Sequence, residues 1–95
     1  MATVIDTIHI TDTFREHLPE YEVPFHGDGL QVILEPFENT DVTGAGERLA
    51  TFIRPDGSTF QWIIAGVEIR HNVPSLFFAG LHPQEVPRLT QIHWS

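Results

Sequence analysis

Apolar and polar residues alternate along much of this chain with the period of a β-strand rather than of a helix. In "TVIDTIHI" (3–10), Val4, Ile8 and Ile10 share a parity with Asp6, while Thr3, Thr7 and His9 share the other with Ile5. That pattern predicts a half-buried strand. "LQVILEPFE" repeats it with Leu30, Val32 and Leu34, and Pro36 marks its end. "ERLATFIRPDGSTFQWIIAGVEIRHN" (47–72) holds two strand-like arms around Pro55-Asp56-Gly57-Ser58. Proline presets φ at the second turn position and glycine accepts positive φ, so these arms form a hairpin. In the second arm Phe60, Trp62 and Ile64 share a parity that places all three, Trp62 included, in the core. The parity then switches to Val67 and Ile69. A period-2 strand needs a break or bulge for that, and Gly66 is the place for it. "SLFFAGL" and "RLTQIHW" supply two more strands.

The pieces between them are short. Thr13 and Glu16 have capping-box spacing, and Pro19 limits continuation, so one helical turn is expected over 13–18. "EVPFHGDG" (22–29) is a turn cluster, and "NTDVTGAG" (39–46) reads as a polar, mobile loop. Six short strands with frequent Gly and Pro predict a single all-β domain over 1–95. The expected architecture is a six-stranded antiparallel, Greek-key-like barrel with one short helical turn.

The insert "HPQEVPR" between the last two strands has a backbone reading. Gly80 allows a sharp turn, Pro83 suits the first position of a helical turn, and Pro87 stops it. Arg88 is within local reach of Glu85. Around this insert, residues 66–92 resemble the end of the second domain of elongation factor Tu, a β-barrel shared by translational GTPases. Gly66, Val67, Glu68 and Ile69 match the family's G-V-E-(apolar) stretch. Leu76, Phe77 and Phe78 match its strand. Gly80, Leu81, Glu85, Val86 and Arg88 match its closing pattern, with Ile92 in the final strand. Leu89 stands where the family usually has Gly, and the family's G-R-G-T-V-x-T-G hairpin has no clear copy. The resemblance implies a β-barrel and a binding role. It implies no GTP hydrolysis, since the chain lacks a G-x-x-x-x-G-K-[ST] loop.

Charge sharpens the functional reading. The net charge is −8, every base is Arg, and there is no Lys. Residues 1–47 hold ten acids against one Arg, whereas residues 48–95 hold three acids against four Arg. No basic stripe exists to displace counterions from phosphates, so neither nucleic acid nor an anionic membrane is an expected partner. No apolar run approaches the roughly 18 residues of a membrane helix. The start lacks the basic and apolar regions of a signal peptide, so the expected compartment is the cytoplasm. Zero cysteines exclude disulfides, thiolate metal sites and thiol chemistry.

Catalytic candidates are sparse. The six His lie in no H-x-H or H-E-x-x-H pair, and a metal would need His26, Asp28 and His71 to converge. Ser58 and Ser75 sit outside any G-x-S-x-G elbow. No metal, cofactor or catalytic residue is therefore assigned. The leading expectation is a non-catalytic barrel that binds a protein partner or a second copy of itself. Its surface would comprise Leu81, His82, Glu85, Arg88 and Trp94. Trp94 is open to two readings, docked on the barrel or exposed as an anchor. Phe77 and Phe78 point to opposite faces of one strand, and the one off the core face fits under a covering loop or helical turn, or in a subunit contact. The alternative is an acidic inhibitor or immunity-type protein that neutralises a basic partner such as a nuclease through Glu20, Glu22 and Asp28. A small hydrolase or metal enzyme ranks last.

Overall fold

The computed structural model describes residues 2–17, 27–36, 42 and 44–94. Among them, seven strands form one sheet: β1 (Ala2–Ile10), β2 (Gly29–Leu34), β3 (Leu49–Ile53), β4 (Thr59–Ile63), β5 (Gly66–Arg70), β6 (Val73–Ala79) and β7 (Gln91–Trp94). Their hydrogen-bonded order is β4-β3-β7-β1-β2-β6-β5, with every neighbouring pair antiparallel. One helix, α1 (Asp12–His17), and a 3-10 turn at Pro83–Glu85 complete the described elements.

The all-β expectation holds, but six strands in a closed barrel do not. The run 59–70 is two strands, because it changes partner part-way. Up to Ile63 it pairs with β3, and from Gly66 it pairs with β6. Ile64 and Ala65 turn that corner, with the Ile64 amide donating to Arg48 O at 2.9 Å and the Ala65 amide to Phe77 O at 2.8 Å. The parity switch therefore marks a change of partner strand, not a bulge at Gly66. Among the described residues no ladder joins β4 to β5, so the sheet is coiled but open.

The coil is tight enough for the inner face to close on itself. Phe52 on β3 stacks on Phe60 of β4 at 4.3 Å and meets Phe78 of β6 edge-on at 4.9 Å. Leu30, Leu34, Ile64, Leu76 and Ile92 fill the space around these rings. Each side chain so buried contributes about 1.5–3 kcal/mol by leaving water. Val42 and Ala45 are buried in the same cluster, so the described part of the 39–46 loop is anchored in the core.

Two sequence-level parities change under the fold. The register of β1 on β2 shifts between Val4 and Asp6. Val4 thus faces the core, while Ile8 and Ile10 pair with Gln31 and Gly29 and take the outer face. Phe77, opposite Gln31, lies on that outer face too, yet is only 1% exposed within one chain. A subunit contact is not what buries it. A Cβ on Gly29 would come within 2.7 Å of the Phe77 ring and collide with the Phe78 carbonyl oxygen. Glycine at this position lets the ring lie against the sheet.

The local turns follow their chemistry. The helical turn expected at 13–18 forms one residue earlier, because its cap is Thr11, whose Oγ1 accepts from the Phe14 amide at 3.1 Å. The Pro55–Ser58 hairpin turn forms, with Gly57 at φ 90°. The Ser58 hydroxyl and amide both donate to Asp56 Oδ1, at 2.6 and 2.9 Å, and these bonds hold the Asp56 carboxyl below its usual range. β5 and β6 are joined by His71 and Asn72, at φ 52° and 64°. Two consecutive positive φ values give the hairpin a turn whose twist matches its strands.

Candidate functional site

The 81–90 segment, which the sequence marked as a contact surface, is built into the fold. β7 pairs with β1 only at Ala2 and Thr3. Beyond those residues the two strands part, and this segment fills the space between them. Leu81 and Val86 are buried in the core cluster, with Leu81 1% exposed. The Leu89 amide donates to Val4 O at 3.0 Å, and the Val4 amide donates to Thr90 O at 2.9 Å. Arg88 does not reach Glu85. Its Nε donates to Ile5 O at 3.0 Å, at the point where the β1 register shifts. Glu85 is held instead by Arg54, whose guanidinium gives one nitrogen to the carboxylate at 2.6 Å and Nε to the Glu85 carbonyl at 2.9 Å. The same guanidinium lies 4.5 Å over the Phe60 ring. An exposed ion pair alone is worth about 0–1 kcal/mol. Three contacts from one side chain do more, because they fix where the 3-10 turn sits.

The remaining sequence candidates are scattered. His82 is exposed and meets the His9 ring edge-on at 5.6 Å. Trp94 is half-buried against the core. Of the acidic set, Asp28 is exposed, and Glu20 and Glu22 lie outside the described residues. His26 does too, while Asp28 and His71 are both exposed. Among the described residues no group of three or more metal-ligating side chains converges. No helix of these residues is long and apolar enough to cross a membrane. On the outer face of β2, β6 and β5 a depression of about 190 Å³ includes Gln31, Glu68, Arg70 and Ser75. Four of its polar side chains pair off: Gln31 Nε2 donates to Ser75 Oγ at 3.1 Å, and Arg70 Nε lies 3.0 Å from Glu68 Oε1.

The edge of the sheet at β4 is different. Trp62 has the core parity expected of it, but it stands on an edge strand and is 38% exposed. Its indole N–H donates across the open side of the coil to Ala79 O at 2.9 Å. Ile63 is 52% exposed, as is much of its cross-strand neighbour Leu49. Ladder bonds alternate along an antiparallel pair. The bonds from Arg54 N to Ser58 O and from Ile64 N to Arg48 O bracket β4, so its even-numbered residues bond to β3. Thr59, Gln61 and Ile63 therefore direct their amides and carbonyls away from β3, to a side on which no strand of the described residues pairs with β4 and which, past Ile63, turns onto β6 through the Ala65 amide. Sequence reasoning missed this site, although its signal was present in five consecutive residues without charge or proline, "TFQWI". Compared with family models, curated proteins and solved structures, the chain matches none.

Proposed function

We propose that this protein is a non-catalytic binding module that acts by protein–protein contact, and that the contact runs along the free edge of β4. The observation that carries the reading is that, among the described residues, this edge is unpaired and carries no guarding residue. Proteins blunt exposed edge strands with Lys, other charges, Pro or bulges. β4 has none of these, and its register on β3 is unbroken. The opposite edge, β5, carries Glu68 and Arg70. An unblunted edge offers main-chain hydrogen bonds to an added strand, and Trp62, Ile63 and Leu49 border it with apolar surface. The resemblance of residues 66–92 to the translational barrel fits the same reading, because that family's barrel binds rather than catalyses.

The test is capture on the immobilised full chain, with wild type and Ile63→Lys compared through a salt gradient. A charge on the free edge should weaken retention of the partner, whether another protein or the chain itself, by about tenfold or more, equivalent to about 1.4 kcal/mol. Wild-type retention should survive high salt. A partner released early by salt, unaffected by Ile63→Lys and lost on Asp28→Asn, would overturn the reading in favour of an acidic inhibitory surface.

A further inference from the structure

Resting on the reading of a binding module, but not on its edge, we infer that the outer face of β4, β3 and β7 docks a second copy of this chain, face to face about a two-fold axis. Which side chains form that face follows from the core. Phe52, Phe60 and Ile92 pack inward, so their neighbours along each strand point outward. At one corner Leu49 pairs with Ile63, and the two are 45% and 52% exposed. In the next row Thr51 lies between Gln61 and His93. Beyond it Ile53 lies between Thr59 and Gln91. None of these positions is Asp, Glu, Lys or Arg, although such residues make up 19% of the chain. A soluble surface ordinarily carries charges of both signs at about 25–35% of its positions. A charge-free face on a chain of net charge −8 is therefore built for contact rather than for water.

The face fits its own copy. In a two-fold contact each partner presents the same patch, so any charge on it would meet its like. This patch has none. Gln and Thr each carry donor and acceptor groups, so a surface made of them can hydrogen-bond to itself where one of Asp or Arg cannot. Gln61 Nε2 donates to Thr51 Oγ1 at 3.2 Å, and the Gln61 side-chain oxygen can still accept from a facing copy. Elsewhere two copies repel, since residues 1–47 hold ten acids against one Arg, whereas β3, β4 and β7 all lie beyond them. Sheet packs on sheet about 10 Å apart, so no strand has to enter beside β4 or β6. The area sets the strength. Three strands about 4.8 Å apart and about five residues long make a small face. Two copies bury less than the roughly 1,200 Å² of a stable interface, so the dimer is weak, with Kd between about 10 µM and about 1 mM.

The test uses the intact chain in sedimentation equilibrium over about 1 µM to about 1 mM, the span of weak to moderate association. Wild type should dimerise within that range, and more fully in high salt, which screens the repulsion between the acidic halves. Thr51→Lys and Gln61→Lys each bring two cations into the closed contact. Each should raise Kd by about tenfold or more while the far-UV spectrum stays unchanged. Either change makes the chain less negative, so whole-chain repulsion cannot account for the loss. Gln84→Lys makes the same charge change on the 3-10 turn, off this face, and should leave the dimer at least as tight as in wild type. A wild type that stays monomeric throughout overturns the inference. So does a dimer that loosens in high salt, persists in both face variants, or weakens equally in Gln84→Lys. If a monomeric wild type still captures a different protein in a manner sensitive to Ile63→Lys, the binding role stands and only the second copy falls as partner.

Discussion

Gly29 shows how one residue can decide whether a side chain has a place in the structure. Phe77 is large, apolar and on the outer face, a combination that ordinarily leaves a ring in water. It can lie flat against the sheet because β2 begins with a residue that has no Cβ beneath it. Gly29→Ala would press a methyl against the ring and the Phe78 carbonyl, which belongs to a sheet and cannot move aside without loosening β2 from β6. We expect a loss of about 1–3 kcal/mol, the usual range for an overpacked site. Chemical denaturation would read it as a lowered midpoint at unchanged slope. In the sequence this glycine looked like the close of a turn, since Gly27 and Asp28 precede it. Only the pairing of Gly29 with Ala79 gives it a strand position.

At the level of elements, each turn carries its own chemistry, and that decides how legible it was. The Pro55–Ser58 turn was readable because Pro and Gly each have a single backbone explanation. The turn at His71 and Asn72 was not, because Asn and His favour positive φ only weakly and sit elsewhere far more often. Asn tolerates the left-handed region better than most residues, but glycine has no side-chain penalty there. Asn72→Gly should therefore stabilise the hairpin by about 0.3–1 kcal/mol, after allowing for the extra freedom glycine gains in the unfolded chain. That corresponds to a rise in melting temperature of about 2–5 °C for a domain of this size, measurable by calorimetry. A fall would mean that the Asn72 side chain holds the turn together. The 81–88 insert was half legible. Its prolines and glycine were given their backbone roles correctly, but Leu81 was placed on the surface and Glu85 was given the wrong arginine. Arg54 is 31 positions away, and nothing local points to it.

For the whole molecule, periodicity identified the strands but not their closure. The inner parity of Phe60, Trp62 and Ile64 was correct, while the exposure of Trp62 depends on β4 being last in the sheet. Strand order is set by pairings between distant parts of the chain, so no window of sequence contains it. The count of six failed for the same reason, since residues 59–70 are continuous in pattern and divided only in partnership. The segment is also what joins the two ends of the sheet. A sheet with independent ends frays from either one, each edge strand detaching at its own small cost. Here the outermost strands are successive lengths of one backbone, linked by Ile64 and Ala65, with Ile64 sealed in the core. Releasing β4 pulls on the residue that anchors β5, and releasing β5 pulls on β4. Amide hydrogen exchange should therefore show the bonded amides of both strands opening together, with similar free energies. Separate, staggered exchange of the two would mean that the corner acts as a hinge, and that each edge can lift without disturbing the other.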